Sequence, residues 1–319
     1  MNSATPLHLG PNTSDIAQAA NVLGNGGLVI LPTETVYGLG ADASNGTAVA
    51  QVFAAKGRPN FNPLIAHVSD IEMAKTIALF DPLSEKLVEA FWPGPLSLVL
   101  PLAPNAAISE LATAGLKTVA LRMPDHPVVQ AVLKELGKPI AAPSANISGR
   151  LSPTAADHID PKLLSKVDAI ADGGPCGVGL ESTIVMIRDG NPYLLREGGV
   201  SREALEDALQ ITLVAETAAD KPTSPGQLLA HYAPKTKLQR NVPNKSADVI
   251  HIGFGNMPCD LNLSESGDVI EAAANLFGYL HKADRLAQKN HADTITVAPI
   301  PMCGIGRAIN DRLLRAARE

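Results

Sequence analysis

The chain has 319 residues, more than one small core comfortably holds, so two units are expected. Hydrophobic residues make up 45% and charged residues 18%, which excludes disorder as the global state. A formal net charge of -6 with only 3% aromatics argues against a nucleic-acid coat protein and against a base-stacking platform for single strands.

The N-terminal stretch has neither a cationic segment nor an apolar run, so no signal peptide is expected. Ser14 is placed to cap a helix that stops at Gly24-Asn25-Gly26-Gly27. Residues 28–31 form an apolar strand ended by Pro32. Residues 47–56 read as a helix, 64–68 as a strand, and 71–80 and 83–91 as helices. Strands are expected at 96–100, 118–122, 140–142, 169–171 and 183–187, with helices at 126–136 and 202–209. No uninterrupted apolar stretch reaches membrane-spanning length, and Leu96 to Leu102 is cut by Pro101, so no membrane span is expected. This alternation predicts an α/β or α+β unit over residues 1–213.

Residues 214–240 are rich in Ala, Thr, Lys and Pro, and carry the turn signals Ser224-Pro225-Gly226 and Ala233-Pro234. They read as a linker. Beyond it, strands at 248–252 and 294–298 and helices at 269–287 and 306–317 predict a second, smaller α/β domain over 241–319, of the Rossmann-like, parallel kind. Charge divides unevenly: residues 1–213 carry -7 and the rest +1. Cations that cluster in the first unit therefore stand out. Cys176, Cys259 and Cys303 form no CxxC pair, which predicts a reducing, cytoplasmic setting without disulfides or a zinc ribbon.

Segments dense in Gly, Pro, Ser, Thr and charge fall at strand ends, where α/β folds place ligands. Pro32-Thr33-Glu34-Thr35 reads most simply as a turn with capping hydroxyls. In Lys56-Gly57-Arg58-Pro59, two cations on a proline-fixed loop can face one anion; the competing reading is a solvated helix end. Arg122 ends an apolar strand and needs a partner. That partner is either a structural acid such as Asp125, or a ligand carboxylate or phosphate gripped by the guanidinium fork. Ala142-Pro143-Ser144-Ala145-Asn146 supplies small donors for an anion. Gly173 to Thr183 is glycine-rich ahead of a strand and permits close backbone approach. Cys176 there reads as incidental, with no base nearby in sequence. Glu34 and Asp42 read as solvated. No P-loop, GxSxG or HExxH motif occurs.

In this order, these segments resemble the threonylcarbamoyl-AMP synthase family, whose catalytic unit is the YrdC-like domain, an α+β twisted sheet. The likeness covers residues 15–213. It continues through Ser224-Pro225-Gly226 and His231-Tyr232-Ala233-Pro234 to Gly304-Ile305-Gly306-Arg307 and Asp311-Arg312-Leu313, as in the long two-domain form. The resemblance implies adenylyl transfer from ATP to threonine and bicarbonate, releasing pyrophosphate. The product serves N6-threonylcarbamoyl modification of tRNA adenosine through a downstream transferase, with at most a weak tRNA contact of its own. The family's KxR…SxN signature falls on Lys56, Arg58, Ser144 and Asn146, implying catalytic positions. Threonine would be held by Thr35, His67, Arg122, Ala142 and Ser182. ATP would be held by Arg58, Asn62, Thr118, Ser144, Ser152, Arg196, His231 and Tyr232, with Mg²⁺ riding on its phosphates and no dedicated metal site. The linker would close over the cleft. An RNA-binding or ribosome-assembly module using the same cationic cavity is the alternative, and the acidic balance speaks against it.

Overall fold

The computed structural model describes residues 5–215 and 232–317. The first unit opens with β1 (Leu7–Leu9) and α1 (Thr13–Gly24), capped by Asn12, whose Oδ1 accepts from the Asp15 amide; Ser14 is already inside the helix. There follow β2 (Val29–Leu31), β3 (Gly38–Asp42), α2 (Gly46–Lys56), β4 (Ile65–His67), α3 (Ile71–Ile77), α4 (Pro82–Phe91) and β5 (Leu96–Pro101). Next come α5 (Glu110–Thr113), β6 (Thr118–Arg122), α6 (Pro127–Leu136), β7 (Ile140–Ala141), α7 (Pro161–Leu164) and β8 (Ala169–Ala171). The unit closes with β9 (Thr183–Arg188), β10 (Asn191–Arg196), α8 (Arg202–Leu209) and β11 (Val214–Ala215). The second unit holds β12 (Lys237–Arg240), β13 (Ile250–Gly253), β14 (Leu261–Asn262), α9 (Val269–Asn290), β15 (Thr294–Val297) and α10 (Gly306–Ala316).

Strands β1 to β11 form one mixed sheet in the order β1-β8-β2-β3-β7-β4-β6-β5-β9-β10-β11. The small sheet, β12-β15-β13-β14, is parallel throughout, as a Rossmann-like unit requires. The stretch 214–240 contributes a strand to each sheet, β11 to the large and β12 to the small. His231 and the Ser224-Pro225-Gly226 turn lie outside the described residues.

Strand alternation sorts the large sheet's side chains. Val119 and Leu121 of β6 join the main core with Ile30, Leu39, Val52 and Leu98. Ala120 faces the other way, in a small cluster with Ile65, Val99, Ile184 and Met186. Thr118 and Arg122 therefore share that second face. Strand β3 escapes sequence patterning because Gly-Leu-Gly-Ala-Asp has no β-branched residue. Its small residues suit burial on both sides: a Cβ on Gly40 would sit 2.9 Å from Leu31 Cδ1.

The two units share apolar contacts. The second unit's core, built on Phe277, Leu280 and Ile309, runs into Val36, Leu151 and Leu180 of the first. Each such side chain, fully withdrawn from water, contributes roughly 1.5–3 kcal/mol. Gly179, at φ 71°, lies against the Ala273 and Ala274 carbonyls of α9, where no side chain fits.

Candidate active site

Strands β4 and β6 are parallel, in register His67 against Arg122, so both side chains emerge at the carboxyl end of the sheet. The ends of β7 and β10, the turn after β2 and the segment before β9 converge on the same place. They line one cleft, half open to solvent, with about 60 Å³ of free cavity volume. Of the expected site residues, Thr35, Arg58, His67, Arg122, Ala142, Ser144, Ser182, Arg196 and Tyr232 line it.

At one end, Arg122 is almost fully buried and densely held. Its Nε donates to the Gly94 carbonyl at 3.1 Å, Nη1 donates to Thr35 Oγ1 at 2.8 Å, and Nη2 pairs with Glu34 Oε1 at 2.7 Å. The structural partner is thus Glu34 rather than Asp125, and Glu34 is not solvated as expected but 12% exposed. Two of the five guanidinium N–H donors remain for a ligand. His67 beside it is buried, and its Nδ1 has no hydrogen-bond partner. Burial, then the Arg122 charge, lower its pKa to about 3, so the ring is neutral near pH 7.

At the other end, among the described residues, Arg58 donates only to backbone carbonyls, Asn62 at 3.3 Å and Pro63 at 3.0 Å. Arg196 donates from Nε and Nη2 to the Ser182 carbonyl at 3.0 and 2.8 Å, and from Nη2 to Ser182 Oγ at 3.1 Å. Among the described residues, neither has a carboxylate at ion-pair distance. Both are pulled down to about 10, first by burial and then by neighbouring cations: Arg196 acts on Arg58, and Arg312 and Arg122 act on Arg196. Two guanidinium groups with no described carboxylate at ion-pair distance favour an incoming anion.

Other expected residues stand behind the wall. Lys56 is 2% exposed, and its amine donates to the Ser144 carbonyl and, at 2.5 Å, to the Asn146 carbonyl. Burial, then Arg58, push its pKa well below the usual lysine value. Ser144 Oγ donates to Asn146 Oδ1 at 2.5 Å, and Asn146 Nδ2 donates to the Ile147 and Arg150 carbonyls. Lys56 and Asn146 are therefore the internal ties of the 144–150 loop. Their polar groups are spent on that loop rather than turned to the cleft. Lys56 is not the solvated helix end that sequence alone allows. Asn62 is buried beneath Arg58, with Oδ1 unpartnered. Ser152 is fully buried and donates to Glu181 Oε1 at 2.6 Å. Thr118 lies on the Arg122 face of β6 but about 13 Å along the strand, beyond the lining. Asp42 is buried away from the cleft, bonded by Ser44 and paired with Lys138 at 2.8 Å. Burial first, then Glu34, push the Cys176 thiol up to about 12, so it is no nucleophile near neutral pH.

Sequence reasoning passes over Glu181, a carboxylate that lines the cleft. The signal was present: a charged residue entering the buried strand β9 needs a partner, by the argument applied to Arg122. Its partner, Arg312, is on α10, far along the chain.

Comparison with known proteins bears on this geometry. Residues 21–198 match the Sua5/YciO/YrdC family model, described as telomere recombination, and residues 200–318 match the C-terminal domain of threonylcarbamoyl-AMP synthase. A threonylcarbamoyl-AMP synthase of Bacillus subtilis (strain 168) is 41% identical, over 97% of this chain and 94% of its own. The chain belongs to the threonylcarbamoyl-AMP synthase family. A family member from Pyrococcus abyssi (strain GE5 / Orsay) is 38% identical, over 94% of this chain and 93% of its own. The crystal structure of P. abyssi Sua5 complexed with L-threonine matches with a TM-score of 0.88 at 34% identity, covering 98% of both chains. Membership makes this chain an enzyme of the nucleotidyltransferase kind. The relatives support that reading over an RNA-binding module. No helix among the described residues is long and apolar enough to cross a membrane.

Proposed function

We propose that this enzyme joins L-threonine, bicarbonate and ATP into L-threonylcarbamoyladenylate, with release of pyrophosphate. The observation that carries the reading is one cleft with two unlike ends. Arg122, Thr35 and His67 offer a small, preset pocket, and Arg58 and Arg196 offer cations with no described carboxylate at ion-pair distance.

Threonine takes the first end. Its carboxylate meets the two spare Arg122 donors, and the neutral His67 ring accepts from its amine or hydroxyl; Ala142 and Ser182 close the pocket. The amine combines with bicarbonate to give the carbamate, with loss of water. The carbamate oxygen then forms a bond to the α-phosphorus of ATP as the bond to the bridging oxygen breaks, in line, and pyrophosphate departs. Such transfer rests on positioning and charge neutralisation. Arg58, Ser144 and Arg196 serve the phosphates. Lys56 and Asn146 act as positioning residues for the Ser144 loop. Thr118 extends the same sheet face towards the far end of the nucleotide, and Ser152 acts through Glu181. Tyr232 covers the nucleotide side; the same expectation for His231 lies outside the described residues. Glu181, the one carboxylate among the lining residues, is already paired, so Mg²⁺ enters on the ATP phosphates. The division is a catalytic domain over 1–213, a covering linker over 214–240 and a small domain over 241–319. The labile adenylate passes to a cytoplasmic tRNA threonylcarbamoyl transferase, with at most weak contact to tRNA itself.

The test is pyrophosphate release from ATP and Mg²⁺, with threonine and bicarbonate each omitted in turn. Release that needs both is expected. Release that needs neither would overturn the chemistry.

A further inference from the structure

Arg312 is the largest fully buried side chain among the described residues, and it belongs to the second unit. Its Nε donates to Glu181 Oε2 at 3.0 Å, across the junction and into the cleft wall. Nη1 donates to Asp311 Oδ2 at 2.9 Å, and Asp311 is also bonded by Arg315 Nε. The guanidinium carbon lies 5.6 Å from the centre of the Tyr232 ring, which packs on Phe277 of α9 at 5.4 Å. Tyr232 adopts φ 67°, a left-handed conformation that costs an aromatic residue backbone strain.

Glu181 has two cations in reach. Burial alone would raise its pKa; Arg312 first and Arg196 second pull it down to about 2 instead, helped by the Ser152 hydroxyl. Yet among the described residues only Arg312 stands at ion-pair distance. Glu181 is thus engaged directly by Arg312, and no described carboxylate stands at ion-pair distance from Arg196. Removing Arg312 would strand a buried carboxylate, which is costly unless it finds a new cation. Arg196 is the cation at hand.

We infer that Arg312 is a positioning residue for the nucleotide: by engaging Glu181, and backing Tyr232, it keeps Arg196 available to the phosphates. This rests on the reading that the cleft takes ATP. It gives α10 a specific role in a site otherwise built by the first unit and Tyr232. It also explains how a carboxylate can line an ATP cleft without repelling its occupant.

The experiment measures equilibrium binding of ATP with Mg²⁺, and separately of threonine, to the full chain and to variants. Arg312→Met is expected to weaken ATP about ten-fold or more, with threonine changed less than about three-fold. Adding Glu181→Gln to Arg312→Met removes the stranded charge and is expected to restore ATP binding to within about three-fold of the parent. A role confined to docking the two units would show no such rescue. Unchanged ATP binding in Arg312→Met, or a double variant no better than the single, would overturn the inference. If Arg312→Met does not fold, Arg312→Gln with and without Glu181→Gln carries the same comparison, because glutamine removes the charge and keeps a polar side chain. A parent chain that binds no ATP would instead sink the functional reading itself.

Discussion

The two ends of the cleft contain the same residue type and use it differently. Arg122 is closed in by Glu34, Thr35 and the Gly94 carbonyl. Arg58 and Arg196 rest on carbonyls and one hydroxyl, and no described carboxylate stands at ion-pair distance from either. A paired arginine fixes geometry and adds little net field. Unpaired arginines supply field and leave donors for a ligand. The first arrangement suits a small amino acid that must be held in one pose. The second suits a polyphosphate, whose binding is dominated by charge.

The largest break in this contrast is expected from Arg58→Ala. Removing a cation beside the transferring phosphate should lower turnover by about a hundred-fold or more, measured as pyrophosphate release. Near-parental turnover would take Arg58 out of the mechanism. Arg122→Lys should come next. A point charge cannot serve Glu34, Thr35 and the Gly94 carbonyl together, so KM for threonine should rise about ten-fold while KM for ATP stays nearly constant. An unchanged threonine KM would remove Arg122 from that pocket.

Lys56→Met separates scaffold from site. Leaving the Ser144 and Asn146 carbonyls without their buried donor should cost about 1–3 kcal/mol of stability, read by denaturant unfolding, alongside lost turnover. Full stability with lost turnover would instead make Lys56 a direct participant.

The effect confined to one ring, and absent at neutral pH in the parent's turnover, concerns pH. The folded His67 pKa of about 3 lies below the unfolded value near 6.5, so the unfolded chain binds a proton that the fold refuses. Stability should therefore fall as pH drops from about 6.5 towards 3, by up to about 1.4 kcal/mol per pH unit from this ring. His67→Gln should flatten that slope between pH 7 and 5. An unaltered slope would show that His67 is not the buried neutral ring described.

What was legible in the sequence follows from where the information lies. The strand Thr118–Arg122 and the helix Arg202–Leu209 are readable to the residue, because apolar alternation and a Ser201 cap are local signals. The motif segments carried most of the lining: nine expected residues face one cleft. Strand β3 was hidden because its small residues answer to neighbours on both sides rather than to a period. Partners were hidden for the same reason. Asp125 is near Arg122 in sequence, but the turn after β2 brings Glu34 to it. Glu181 and Arg312 meet only because α10 packs across the unit junction. A motif can name Lys56 and Asn146 together, but burial shows that their polar groups are spent on the 144–150 loop.

The most direct test of the account is the identity of the adenylate. Threonine, ATP, Mg²⁺ and isotopically labelled bicarbonate would be incubated with the enzyme, and the nucleotide product weighed by mass spectrometry. The account predicts threonylcarbamoyl-AMP carrying the label, in step with pyrophosphate. Unlabelled threonyl-AMP, or AMP formed without threonine, would contradict it.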